Sequence, residues 1–485
     1  MGGPDLYGRA EEIVNIPWSI PVVLTLIATI GCTTTQREVV ITDQQLQAVR
    51  AIGERFVTEA GIVGLSIGIS VGGEIVFAEG FGHADAVRSI AVDEHTLYDI
   101  ASVGKQFTAV AILSLLERGA LSLEDRVRAY VPDLPAHFPD ATINQLLRHT
   151  SGFVSGELDE LNPPADYRRP RYGLKLLTDV ELQTGRTIFR PEENFVYSNA
   201  GYLVLGLVVE AASGRRYDQY IRDQLLIPNQ LEGMLVCERG EPPRMSQALH
   251  RTSDEVRPVP HIDMTAYSGQ GAICTSVIDL LRWSHALNSG RILKPTSLKL
   301  FRSPSTLGGD HAELTVPYGM AQRLGHLGGH VKAGHSGTFD GGSATLMVYL
   351  QDDLEIAVIA NTRGDGTPHA YRIELEIAKL LFGIALPDVS SQRRPLDPKD
   401  ARRVAGTYST GADQYEAAFE KDELIVLQDG RPIERLVHIG SLRFRSMIDP
   451  SVLQSFILDG DGAGWWIYDL SGNYLEVLRA LDRKE

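Results

Sequence analysis

Ser102 and Lys105 stand three residues apart in the stretch Asp99-Ile100-Ala101-Ser102-Val103-Gly104-Lys105-Gln106-Phe107-Thr108. On a helix this spacing stacks the two side chains on one face, one turn apart. A serine hydroxyl is a weak nucleophile at its ordinary ionisation and needs a base beside it. A lysine amine becomes such a base when burial penalises its charged form. The pair therefore means covalent chemistry only on a buried helix. On an exposed one it is a solvated cation beside an ordinary serine.

The surrounding pattern supplies that helix. Phe107, Val110, Ala111, Leu113, Leu115 and Leu116 give it an apolar face, and Gly119 ends it. Upstream, Thr42 and Gln45 have the spacing of a capping box, and Leu46, Val49, Ile52, Phe56 and Val57 recur at helical intervals to about Glu59. Two strand segments follow, Ile62 to Val71 and Glu74 to Glu79, joined by Gly72-Gly73 as a hairpin. From Leu121 to about Ser289 the chain reads as helical pieces and loops. They include a helix over Tyr202 to Ala212, closed by Ser213-Gly214, and another capped by Thr275 or Ser276. Strand character returns at His335 to Gly337, Ser343 to Leu350 and Leu354 to Asn361, and Ile373, Ile377, Leu380 and Leu381 mark a closing helix. The expected fold class is α/β (α+β): an antiparallel sheet flanked by helices, with an inserted helical subdomain over about 121–289.

The expected domains are 42–384 for this unit, a proline-rich linker over 385–399, and a small antiparallel β-barrel over 400–485. Strand segments in the last are Val404 to Tyr408, Tyr415 to Glu420, Glu423 to Leu427, Leu442 to Ser446, Leu453 to Leu458, Trp465 to Tyr468 and Tyr474 to Arg479. Trp465, Trp466 and Tyr468 are read as core packing.

Over the 485 residues the formal charge is −16, which argues against a nucleic-acid partner. The three cysteines, Cys32, Cys237 and Cys274, form no C-x-x-C pattern. Cys237 and Cys274 are open to two readings, a disulfide or free buried thiols. Residues 1–41 read as a leader and tether. Ile16 to Ile30 is apolar and shorter than a membrane span, and Thr29-Ile30-Gly31-Cys32 follows. This resembles a bacterial export signal ending in a lipoprotein box, with Cys32 as the candidate lipidation site. The expected location is the cell envelope, periplasmic or lipid-anchored rather than cytoplasmic, with membrane association through the N-terminus.

Two further segments complete the pattern: Tyr197-Ser198-Asn199 before a helix and His335-Ser336-Gly337 on a strand. Together with Ser102-Val103-Gly104-Lys105 they resemble the three motifs of serine β-lactamases and penicillin-binding proteins. The relatives in view are class C β-lactamases, DD-carboxypeptidases, D-aminopeptidases and esterases. The resemblance extends to Leu146 to Gly152, to Ala200-Gly201-Tyr202 with Leu205-Gly206, and to Gly269-Gln270-Gly271-Ala272. It covers about residues 43–384. The opening Val404 to Tyr408 resembles the lipocalin-like module often appended to such hydrolases.

The resemblance implies a serine hydrolase that forms an acyl-enzyme on an amide, peptide or ester. Ser102 is the expected nucleophile. Lys105 and Tyr197 share the proton chemistry, either as the base and the two together as a coupled unit. Asn199, His335 and Gly337 line the substrate site, and the backbone amides of Ser102 and Thr338 form the oxyanion hole. His335 stands where a lysine is usual, which weakens a clamp for substrate carboxylates. A true β-lactamase or DD-carboxypeptidase is the alternative, and a non-catalytic penicillin-binding-like sensor is the alternative of another class. The expected partner is a small-molecule or peptide substrate, with no protein partner inferable. No cofactor is implied. His149 is read as a structural residue of its loop. His326, His330 and His335 are not expected to bind zinc, because Gly325, Gly328 and Gly329 deny them a helix.

Overall fold

The computed structural model describes residues 37, 39–154, 185–237, 244–260, 268–307, 315–384 and 392–409. Beyond these it describes 414–420, 423–428, 431–446, 452–459, 462–469 and 474–480. Residues 1–36, with Cys32, and 385–391 of the linker lie outside the described residues, as do the side chains of Trp465, Trp466 and Tyr468.

Helix α1, Asp43–Thr58, begins at the Thr42–Gln45 capping box and buries Val49, Ile52 and Phe56. Strands β1, Gly64–Val71, and β2, Glu74–Gly82, form the hairpin. Gly72 and Gly73 both turn it with positive φ, 60° and 81°, a conformation open to glycine without a Cβ clash. Helix α2, Lys105–Glu117, is buried from Lys105 through Leu115, so its apolar surface runs all round. Helix α3, Asn199–Ser213, starts where the Ser198 hydroxyl accepts from the Gly201 amide and stops at left-handed Gly214. Helix α4, Val277–Asn288, is capped by Ser276.

Four strands complete the sheet: β3, Arg323–Leu327; β4, His330–Phe339; β5, Gly342–Tyr349; and β6, Leu354–Ala360. The order is β3-β4-β5-β6-β1-β2, antiparallel throughout. Alternation divides β6 between two cores. Ile356 and Val358 face α1 and the closing helix α5, Ala370–Phe382, while Ala357 and Ile359 face the core that holds α2 and α4. Both faces are covered, so β6 reads in sequence as an apolar run interrupted only by Glu355. On the second face Phe107 of α2 stacks on Trp283 of α4 at 3.9 Å between centroids.

Short strands in the inserted region, unanticipated from the sequence, also carry structure. Tyr98–Asp99 pairs with Ile273–Thr275, which pairs in turn with Leu235–Val236. The strand expected from Val404 starts at Gly406 instead, because helix α6, Pro398–Val404, whose cap Asp397 accepts from the Lys399 amide, takes in Val404. Proline at the first helical position and an aspartate before it favour that start. The strands that follow are β7, Gly406–Ser409; β8, Gln414–Glu420; β9, Glu423–Gln428; and β10, Arg431–Gly440. Next come β11, Arg443–Ser446; β12, Val452–Asp459; β13, Gly462–Asp469; and β14, Tyr474–Ala480. They pair antiparallel in chain order, and β7 also pairs with β14.

Candidate active site

Ser102 lies on a 3-10 turn, Ala101–Gly104, that leads into α2, rather than on the α-helix itself. The turn is held from both sides. The Asp99 carboxylate accepts from the Ala101 amide at 2.7 Å, and the Ile100 amide donates to the Ile273 carbonyl at 3.0 Å. Ala101 has φ 46°, an uncommon backbone state for a residue with a Cβ.

Lys105 is fully buried one turn on. Its Nζ lies 3.1 Å from Ser102 Oγ, 2.8 Å from Asn199 Oδ1 and 2.8 Å from the Gln270 carbonyl oxygen. It also sits over the faces of Tyr197 and Tyr202, at 4.9 and 5.6 Å from their centroids. The Gln270 segment is fixed to α2 a second time, where the Thr108 hydroxyl donates to the Gly269 carbonyl at 2.6 Å. Gly104 packs against Gly271 so closely that a Cβ at Gly104 would lie 3.0 Å from that backbone.

Tyr197 enters from the residue before the α3 cap. Its hydroxyl is buried and makes no well-formed hydrogen bond. Burial pushes the phenol up to about 12, and the nearby Ser102 hydroxyl and the Arg323 charge offset this only in part. At rest Tyr197 is a neutral phenol. Its ring packs on His149 at 4.3 Å and faces His335 at 6.0 Å.

His335 lies on β4 and is buried. Desolvation, with the charges of Arg323 and Lys105, holds its imidazole well below the usual range, so it carries no charge near neutrality. Strand β4 runs against the Ser102 turn. A Cβ on Gly337 would lie 2.3 Å from the Ile100 carbonyl oxygen and 2.9 Å from the Ser102 amide nitrogen. One on Gly334 would strike the Leu346 carbonyl and Met347. Both glycines admit neighbouring protein backbone.

A model of the Beta-lactamase family matches residues 48–380. The chain belongs to the Beta-lactamase family. It is an enzyme of that family's serine-hydrolase kind. It is 26% identical over 385 residues to penicillin-binding protein 4* of Bacillus subtilis (strain 168), covering 74% of this chain and 78% of that protein. It is 27% identical to protein flp of Staphylococcus aureus (strain MW2), over 68% of this chain and 65% of that one. Among solved structures, the octameric penicillin-binding protein homologue from Pyrococcus abyssi superposes with a TM-score of 0.62 at 20% identity. That match covers 91% of this chain and 100% of the other. D-amino acid amidase from Ochrobactrum anthropi SV3 also gives 0.62 at 19% identity, over 70% and 100%. These two likenesses establish the fold.

Of the residues singled out in the sequence, Ser102, Lys105, Tyr197, Asn199, His335 and Gly337 converge in this Beta-lactamase family fold. Thr338 is on the same strand, with its exposed hydroxyl 3.3 Å from His369 Nδ1. Four participants escaped the sequence reading. The Gln270 carbonyl holds Lys105, and a backbone acceptor leaves no side-chain signature. Tyr318 Oη lies 3.0 Å from His335 Nε2 and 3.2 Å from His149 Nε2, inside no recognisable motif. Arg323, exposed on edge strand β3 opposite Gly334, lowers the pKa of Tyr197, His149 and His335 by its charge. His149, read as structural, is buried against Tyr197 and accepts from the Ser198 amide at 3.0 Å.

The cysteine question resolves as a disulfide, Cys237–Cys274, with Cα atoms 5.3 Å apart. Cys274 pairs across the small sheet with Asp99, so the bridge braces the strand leading to Ser102.

Proposed function

We propose that the protein hydrolyses an amide or ester through an acyl-enzyme on Ser102. The supporting observation is the geometry of Lys105. Two carbonyl oxygens, those of Asn199 and Gln270, lie 2.8 Å from Nζ, and Ser102 Oγ lies at 3.1 Å. As an ammonium Lys105 has one hydrogen for each of the three oxygens; once deprotonated it keeps two for the carbonyls and turns its lone pair to the serine hydroxyl. Ser102 Oγ then bonds to the substrate carbonyl carbon while its proton passes to Lys105. The oxyanion is held by the Ser102 and Thr338 amides. Tyr197, a neutral phenol, donates to the leaving nitrogen or oxygen and recovers a proton from Lys105. Water, deprotonated by the same pair, then cleaves the acyl-serine ester. Asn199 positions Lys105 and the substrate, His335 lines the cleft without charge, and Gly337 admits the Ser102 turn.

A neutral His335 favours acyl groups without a carboxylate at that place. This reading agrees with the fold shared with D-amino acid amidase, although it does not choose between ester and amide. A second reading, a β-lactam or peptide terminus bearing a carboxylate, is favoured by Arg323, an exposed cation acting on the same cluster.

We further read residues 42–384 as the hydrolase domain and 400–485 as a lipocalin-like barrel module joined to it by the linker 385–399. We read the protein as exported. The buried disulfide suits an oxidising compartment. Among the described residues no helix is long and apolar enough to cross a membrane.

The test is a fluorophosphonate probe followed by a substrate panel: nitrocefin, short-chain p-nitrophenyl esters, and D- and L-amino acid anilides. Labelling should localise to Ser102 and vanish in Ser102→Ala; equal labelling of that variant sinks the assignment. Arg323→Gln should leave ester turnover intact. A selective loss of nitrocefin turnover in that variant moves the conclusion to the second reading.

A further inference from the structure

A chain of buried polar groups crosses the site without touching Ser102. It begins at the Ser198 amide, which donates to His149 Nδ1 at 3.0 Å. His149 Nε2 lies 3.2 Å from Tyr318 Oη, which lies 3.0 Å from His335 Nε2. His335 Nδ1 ends the chain 2.6 Å from the Ser336 carbonyl oxygen. Its two ends are the second and third motifs.

The ends fix the protons. A backbone amide can only donate, so His149 Nδ1 is a lone pair and a neutral His149 carries its hydrogen on Nε2. A carbonyl oxygen can only accept, so His335 carries its hydrogen on Nδ1 and has a lone pair on Nε2. Between them Tyr318 Oη accepts from His149 and donates to His335. Both imidazoles are neutral for a stated reason. Desolvation comes first, reinforced for His335 by the charges of Arg323 and Lys105, and for His149 by those of Lys105 and Arg323. Tyr197 and Tyr202 also face the group. Their phenols are pushed up by burial and stay protonated, as does that of Tyr318. Tyr202 donates to the Leu147 carbonyl at 2.8 Å, so it offers Tyr318 only a lone pair, weaker than the imidazole nitrogen. One proton order satisfies every group.

We propose that His149 and Tyr318 are positioning residues that tie the Tyr197–Asn199 segment to the His335 strand through this ordered chain. The chain locks His335 as the Nδ1–H tautomer with Nε2 occupied by Tyr318. Two consequences follow. Ser198 lies between Tyr197 and Asn199, so its amide bond to His149 sets both side chains that meet Lys105. His335, its two nitrogens already engaged, neither donates to substrate nor takes up a proton while Tyr318 holds it. The kinetic part of this proposal rests on the acyl-transfer reading above; the proton assignment does not.

The experiment is long-range proton–nitrogen NMR on full-length protein labelled in histidine, with His149→Gln and His335→Gln assigning the signals. His335 should appear as Nδ1–H and His149 as Nε2–H, neither titrating between pH 5.5 and 8 (about the range in which a free imidazole changes charge). The opposite tautomer on either ring, or a midpoint inside that range, overturns the proposal. In parallel, Tyr318→Phe removes one hydroxyl and keeps the ring. On a p-nitrophenyl ester its kcat should fall about tenfold, the scale of one lost buried hydrogen bond, with KM nearly unchanged. An acid limb should also emerge, because His335 Nε2 has lost the donor that favoured its neutral form. His149→Gln, which keeps an acceptor and a donor, should retain more activity than His149→Leu. Unchanged kcat and pH profile in Tyr318→Phe overturn the positioning role. The NMR result is decided whether or not Ser102 reacts, so failed labelling counts against the acyl-transfer reading alone.

Discussion

Gly337→Ala offers a sharp test of how Ser102, the proposed nucleophile, is held. The added Cβ would lie 2.3 Å from the Ile100 carbonyl oxygen, and real Cβ atoms essentially never approach closer than 3.0 Å. Strand β4 and the Ser102 turn must therefore separate by at least about 0.7 Å. The turn cannot yield freely, because the Asp99 carboxylate and the Ile273 carbonyl hold it from the other side. Overpacking of this kind costs about 1–3 kcal/mol of stability. The shift also exceeds the ~0.5 Å within which a catalytic arrangement stays productive, and a misplacement near 1 Å costs on the order of a hundredfold in rate. Ester hydrolysis and urea unfolding should be measured together. The expected result is kcat/KM lower by about a hundredfold in a protein that remains folded at 25 °C. A variant with near wild-type kcat/KM would show that Gly337 does not set the position of Ser102.

Two other perturbations have calculable outcomes. His149, His335 and His369 all have imidazole pKa values lowered by burial, His369 to about 4. In the unfolded chain they protonate near pH 6.5, so their contribution is present above that pH and lost as pH falls toward the folded values. Each group costs about 1.4 kcal/mol per pH unit. Between pH 7.5 and 5.5 the three together lower stability, partly offset by Glu210 and Glu355, whose carboxyls burial raises. Urea midpoints should be lower at pH 5.5, and equal or higher midpoints there contradict the buried neutral histidines. Replacing Cys237 and Cys274 together by alanine opens a loop with a sequence separation of 37. Loop-closure entropy sets the loss near 4 kcal/mol, read as a lower melting temperature that reductant no longer affects.

Much of the site was legible because its first half is local. Ser102 and Lys105 are one turn apart, and the apolar run behind them signalled the buried helix that gives the lysine its value. Thr42 with Gln45, and Gly72 with Gly73, marked their turns for equally local reasons. Tyr197, Asn199 and His335 were reached by motif resemblance, since no local spacing relates residues so far apart in the chain. The C-terminal region was read less well. Strand β10 was unanticipated, and Val404 was assigned to a strand although Asp397 and Pro398 start a helix that includes it.

What escaped the sequence is what sheet register and backbone acceptors bring in. Arg323 reaches the cleft because β3 pairs with β4 opposite Gly334, and Gln270 contributes a carbonyl that any residue could provide. Gly337 shows the same limit from the other side. In sequence, a glycine two residues after His335 reads as room for a ligand. In the fold that room is filled by Ile100 and the Ser102 amide. The third motif thus meets the Ser102 turn through contact between backbones. A site assembled this way is sensitive to a methyl group at a position whose own side chain does no chemistry. The backbone contact depends on the glycine, whereas the side chain two residues earlier joins the buried chain through Tyr318.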